Sequence, residues 1–168
     1  RVCGKQGKPS AWSEPARWSM GLLDPADWTG AKWIGTRTTG DVAPRDGEAE
    51  TRTRLPARYL RRPFYVDKRV RRAIAHVCGL GFFDLFANGQ KVGDHMMDPA
   101  LNGYRKRVFY VTFDVTDSLS PGDNAVGVIL GNGRYFTPRK KSPGDVGIFG
   151  HPKLLLHLRI EYEDGTIR

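Results

Sequence analysis

Apolar and polar positions along this chain alternate with a period of two rather than three or four. Leu154, Leu156, Leu158, Ile160 and Tyr162 alternate with Leu155, His157, Arg159 and Glu161, which predicts a strand with one buried and one wet face. Ala73, Ala75 and Val77 alternate with Arg72, Ile74 and His76, and Phe109, Val111, Phe113 and Val115 share one face of a further strand. Ala125 to Leu130 is apolar on both faces and predicts a central strand. No stretch sustains apolar residues at i, i+3, i+4 and i+7, so helices are not expected. Short strands punctuated by Gly, Pro, Asn and Asp predict an all-β fold, an antiparallel β-sandwich.

Turn chemistry supports the same architecture. Asn88-Gly89 stands between Phe82–Ala87 and Lys91-Val92, and both turn residues tolerate positive φ, so a hairpin is predicted there. Pro121-Gly122-Asp123-Asn124 is a turn leading into the central strand, and Asp164-Gly165 opens another hairpin. Residues 1–32 hold Trp12, Trp18 and Trp28 among turn formers, and Gly40 to Arg54 is polar and aperiodic. We place a boundary near Trp33. Residues 1–32 are expected to be the tail of a preceding fibronectin-like β domain, and 33–168 a sandwich truncated at its C-terminal end.

Composition narrows the classes. The 168 residues suit one domain, and no apolar run is long enough to span a membrane as a helix. Cys3 and Cys78 fit no metal spacing, and Cys78 sits in an apolar run as a small hydrophobe. The net charge is +9, and nine basic residues fall between Arg52 and Arg72 against the single acid Asp67. Such a stripe suits polyanions through phosphate neutralisation. No nucleic-acid-binding motif accompanies it, so a solvated strand face is the better reading. A specific nucleic acid partner is not expected.

The run from Gly79 to Tyr110 carries more information. It reads as an apolar strand, an Asn88-Gly89 turn, Val92-Gly93-Asp94, a loop through Pro99, and Tyr104-Arg105-Lys106-Arg107. It is followed by Thr112-Phe113-Asp114-Val115-Thr116, Pro121-Gly122-Asp123-Asn124 and Leu130-Gly131-Asn132-Gly133-Arg134-Tyr135. In order and spacing these resemble the N-terminal domain of bacterial α-L-rhamnosidases. Upstream, Ser10 to Pro15 and Gly21 to Gly35 resemble the join between that family's fibronectin-like segment and its sandwich, so only residues 40–55 lie outside the likeness.

The resemblance implies a galactose-binding-like jelly roll used as a carbohydrate-binding module. It also implies a longer parent, an inverting glycoside hydrolase whose catalytic domain lies further along the same chain. An inverting site needs two carboxyl groups about 6.5–9.5 Å apart. Asp94 and Asp98 are close in sequence but read as loop residues, so catalysis by this chain is not expected. The implied partner is an L-rhamnose-containing glycan.

A sugar site needs an aromatic face and planar polar groups. The loops 93–107 and 131–138 have that mixture, and the candidate sugar-binding residues are Asp94, Asn102, Tyr104, Arg105, Asn132, Arg134 and Tyr135. Some modules of the family hold rhamnose through calcium, and by motif position Asp94 and Asn132 are the expected oxygen ligands. His95 stands where another oxygen would serve better, and Arg134 replaces a Trp common in the family. Asn132-Gly133 reads equally well as a plain turn, Tyr104 as packing, and Arg105 to Arg107 as a solvated face. The rival to sugar recognition is a structural sandwich that buttresses the catalytic domain.

Overall fold

A computed structural model describes residues 1–16, 18, 20–35, 55–137 and 149–168. Its seven strands are β1 (Arg58–Val66), β2 (Val70–Leu80), β3 (Phe83–Ala87), β4 (Gln90–Lys91), β5 (Val111–Asp114), β6 (Gly122–Leu130) and β7 (Lys153–Tyr162). They form two antiparallel sheets, one in the order β1-β6-β3-β4 and one in the order β5-β2-β7. Among the described residues helical geometry is limited to the short 3-10 turns Pro25–Trp28 and Thr116–Ser118. The all-β sandwich expected from the alternation is therefore the observed architecture. The loop called at 40–54 lies outside the described residues.

The core lies between the sheets. Val66, Leu85, Val128 and Leu130 from one face meet Ala73, Ala75, Val77, Phe113, Leu154, Ile160 and Tyr162 from the other. These are the inward positions of a period-two pattern. β6 runs between β1 and β3, in the central place its two-sided apolarity predicts. The Asn88-Gly89 turn joins β3 to β4 with φ of 50° and 84°. Asn88 also donates through Nδ2 to Asn124 Oδ1 at 2.8 Å and accepts from Ala125 N at 2.8 Å, which ties the hairpin tip to β6.

The outer face of β2 departs from simple alternation. Ile74 and His76 are as buried as their inward neighbours. The cause lies in the N-terminal segment. Trp28 packs edge-on against His76 and His157 at 6.4 Å each and against Tyr110 at 5.4 Å, so the supposedly wet face has a lid of aromatic rings. The Tyr110 hydroxyl donates to Leu22 O at 3.1 Å, and Ile34 forms a two-way backbone bridge with Leu154. Phe109, in contrast, lies before β5 and is 45% exposed.

β1 falls in the basic stretch that the sequence reads as a solvated strand face, and its inward residues are buried or partly buried. The basic residues just after β1 pair with the C-terminal hairpin: Lys68 lies 2.6 Å from Asp164, Arg71 2.8 Å from Glu161, and Arg69 3.7 Å from Glu163. The Asp164-Gly165 turn forms as predicted and returns the chain so that Ile167 bridges Glu161. Lys68 and Thr166 hold the Asp164 carboxyl well below the usual carboxylate range.

Candidate functional site

The two loops singled out by sequence are anchored on one structural feature, the Gly81-Phe82 turn between β2 and β3. The first loop reaches it through Phe83 N, which donates to Asp98 O at 2.7 Å; the second through Gly131 N, which donates to Phe82 O at 2.7 Å. The approach is closer than side chains would allow. A Cβ on Gly81, where φ is +135°, would stand 2.2 Å from Gly131 O. One on Gly133, where φ is +52°, would stand 2.8 Å from Phe82 N. Glycine at both positions lets the backbones touch.

On this support the loops meet through rings. Tyr104 from the first loop lies edge-on to Tyr135 from the second, with centroids 5.1 Å apart. Phe149 completes a triangle, 5.0 Å from Tyr104 and stacked on Tyr135 at 5.9 Å. Burial pushes the Tyr104 phenol above its ordinary value, opposed by its hydrogen bond with Asn102 and the charge of Arg134. Burial also pushes Tyr135 up. Both rings are half-buried, and Arg105 and Arg134, their neighbours in sequence, are exposed. The result is an aromatic cluster with the Arg134 charge close to Tyr104, a combination suited to the C–H face and hydroxyls of a pyranose.

The remaining predicted residues fall elsewhere or are already engaged. Asn102 is buried; its Oδ1 accepts from Phe109 N at 2.5 Å and its Nδ2 donates to Ala100 O at 3.0 Å, so the amide shapes its own loop. Asn132 donates through Nδ2 to Leu55 O at 2.9 Å, while its Oδ1 is buried with no hydrogen-bond partner. Asp94 is exposed. His95 pairs with Asp98 at 2.9 Å and tilts over Phe113, which accounts for Asp98 as a loop residue. A calcium site needs six to eight oxygen ligands. Among the described residues no group of three or more His, Cys, Asp or Glu side chains could hold a metal ion.

Sequence reasoning missed Phe149 and His151. His151 stacks on Phe136 at 5.7 Å, and both its ring nitrogens are buried without partners. The available signal was the run Phe149-Gly150-His151-Pro152 just before β7, an aromatic pair with turn residues at the same end of the sheet.

The fold is an antiparallel β-sandwich with a cluster of loops joined at the Gly81-Phe82 turn, and comparison supplies the family. Residues 68–168 match the alpha-L-rhamnosidase N-terminal domain, and the chain belongs to that family. An alpha-L-rhamnosidase of Formosa agariphila is 39% identical over 180 residues, covering 99% of this chain and 19% of the relative. The structure of native α-L-rhamnosidase from Aspergillus terreus superposes with a TM-score of 0.80 at 31% identity, over 99% of this chain and 18% of that one. The Streptomyces avermitilis α-L-rhamnosidase, solved in complex with L-rhamnose, gives a TM-score of 0.58 at 35% identity, over 66% of this chain and 11% of that one. The chain thus spans about a fifth or less of the length of these relatives.

Proposed function

We propose that this chain is a non-catalytic carbohydrate-recognition module of an α-L-rhamnosidase, binding rhamnose-bearing glycans for a catalytic domain elsewhere in the parent polypeptide. The observation that carries the reading is the Tyr104–Tyr135 contact between the two loops that the sequence singles out, completed by Phe149. One ring face would take the apolar side of the sugar, while Arg105 and Arg134 would take its hydroxyls. The solved complex of the Streptomyces relative with L-rhamnose supports the choice of sugar. The parent is expected to be an inverting glycoside hydrolase. Tethering substrate beside its catalytic domain raises the local concentration without new chemistry.

A single shallow site implies weak binding, with Kd on the order of 0.1–5 mM. The test is isothermal titration of L-rhamnose into the folded chain, with calcium and then with chelator. Binding heat that Tyr135→Ala abolishes supports the reading. Heat that also vanishes with chelator would assign calcium to Asp94 and Asn132. Flat traces from a protein shown folded by circular dichroism would refute sugar recognition. They would favour the second reading, a sandwich that buttresses the catalytic domain. That alternative is favoured by the amides of Asn102 and Asn132, which already serve the loop backbone.

A further inference from the structure

The outer face of the four-stranded sheet carries a trough that shares no lining residue with the loop cluster. Along the central strand β6 the outward positions are Ala125, Gly127 and Ile129. Pro63, Arg61 and Tyr59 of β1 oppose them in register on one side, and Phe86 and Asp84 of β3 oppose Gly127 and Ile129 on the other. Small side chains in the middle strand between large ones on its neighbours leave a hollow of about 320 Å3, closed at one end by Gly89 of the hairpin tip. Its walls stand two interstrand spacings apart, about 10 Å, and its floor runs about 14 Å from Ala125 to Ile129.

Gly127 sets this hollow apart from an ordinary solvated face. Its φ is not positive, and an added Cβ would meet nothing nearer than Leu60 O and Phe86 Cβ at 3.8 Å, which is ordinary contact. Neither backbone conformation nor packing demands glycine there, and glycine inside a central strand weakens it. The missing side chain instead deepens the trough at its middle, where a ligand would approach the backbone. On the rim the Tyr59 side chain is 79% exposed, and Phe86 stands across from it, half-buried. Arg61 is exposed between them and, among the described residues, makes no ion pair. The acids of this face do not offset it. Asp84 is held by Lys91 at 2.7 Å, and Asp123 lies opposite Tyr65, one outward position beyond Ala125.

We propose that this trough is a binding site for an acidic glycan, a chain of sugar rings bearing carboxylate groups, separate from the loop site and independent of it. β6 lies between β1 and β3, so its N–H and C=O groups are engaged in the ladder and cannot hold a polypeptide strand. The face offers aromatic rings, a shallow floor and an uncompensated guanidinium. The apolar C–H side of a sugar ring lies well on Tyr59 or Phe86. A uronate carboxylate matches the planar fork of Arg61, which can donate two parallel N–H bonds to it. The net charge of +9 draws an anionic ligand toward the protein, and the trough selects one with rings.

The test is isothermal titration of tetragalacturonate into the whole chain, with the neutral galactose tetramer of the same linkage and dextran sulfate as comparisons. The expected result is binding of the galacturonate that Arg61→Ala weakens at least about tenfold. Gly127→Leu should abolish it by filling the trough without changing the charge. Tyr59→Ala, at an exposed position, should weaken it about two- to tenfold and serves if Gly127→Leu does not fold. No heat from a folded chain would overturn the site. So would binding that Arg61→Ala weakens while Gly127→Leu and Tyr59→Ala leave it intact, which is the behaviour of a diffuse basic surface. Tighter binding of the neutral tetramer or of dextran sulfate would overturn the carboxylate. Dimers on sedimentation that Gly127→Leu disperses would overturn the glycan in favour of a second copy. Tyr135→Ala should change none of these results, so failure here is distinct from failure of rhamnose binding at the loops.

Discussion

Replacing Trp28 with alanine tests whether residues 20–34 are a working part of the sandwich or a loosely attached leader. The indole makes three edge-on ring contacts, with His76, Tyr110 and His157. Such pairs contribute about 0.5–1.5 kcal/mol each beyond area burial when well enclosed. Trp28 is half-buried, so the low end applies, and three contacts come to about 2 kcal/mol. For a domain of this size that corresponds to a fall in Tm of about 4–8 °C. Urea unfolding followed by circular dichroism would read the free energy, and amide exchange would locate it. The exchange should accelerate at His76 and at 155–159, while β3 and β6 stay protected. Trp28→Phe should recover about half of the loss, because one ring still reaches Tyr110. A Trp28→Ala chain within about 0.5 kcal/mol of the parent would refute the reasoning. Residues 1–32 would then behave as the tail of a separate domain that only rests on this one.

Three further outcomes follow from the same structure. Burial lowers the pKa of His76, as do the neighbouring His157 and Arg159, and burial and Arg159 lower that of His157. Both rings fold neutral, so stability is complete above the ordinary histidine value of 6.5 and falls as the pH drops below it; unfolding midpoints from pH 7.5 to 5 should show the decline, and the double variant His76→Phe, His157→Phe should flatten it. The Cys78 thiol is pushed up to about 11 by burial, whereas Cys3 is exposed; a thiol reagent at pH 8 should therefore label one cysteine in the native protein and two in denaturant. Gly133→Ala should cost about 2–4 kcal/mol in denaturant unfolding, because the added Cβ meets backbone rather than a yielding side chain, and Gly103→Ala, with nothing within 4 Å, should be close to neutral by the same assay.

Much of the sheet was written in the local pattern. β7, β6 and the β3–β4 hairpin follow from alternation and from Asn88-Gly89, because each signal is short-range and each neighbour agrees with it. β1 was not recognised as a strand with a buried side, since Arg61 and Arg62 mask the alternation of Leu60, Phe64 and Val66. The burial of His76 was illegible for a different reason. Its cover comes from Trp28, some fifty positions away, and no window over β2 contains that information. In the site, Tyr104 and Tyr135 were named from residue type, and the structure brings them together. The commitment of Asn102 and Asn132 to loop backbone was hidden, because an amide that holds a turn and one that holds a sugar look alike in sequence.

That division bears on which positions could alter a ligand, on the proposed function, without altering the fold. What brings the two loops together is backbone: the Gly81–Gly131 and Gly133–Phe82 approaches and the hydrogen bonds into the Gly81-Phe82 turn. The inward-turned amides of Asn102 and Asn132 then fix the course of each loop. The exposed side chains of Arg105 and Arg134 do none of this work. Their replacement should leave the fold intact while altering what the aromatic triangle meets. An arginine at 134, where the resemblance led us to expect tryptophan, would on the proposed function change the recognition chemistry and not the scaffold. It exchanges a stacking plane for a hydrogen-bonding fork. On this argument Arg134→Trp separates the two functional readings: it should shift sugar affinity in a recognition module and leave a buttress unmoved.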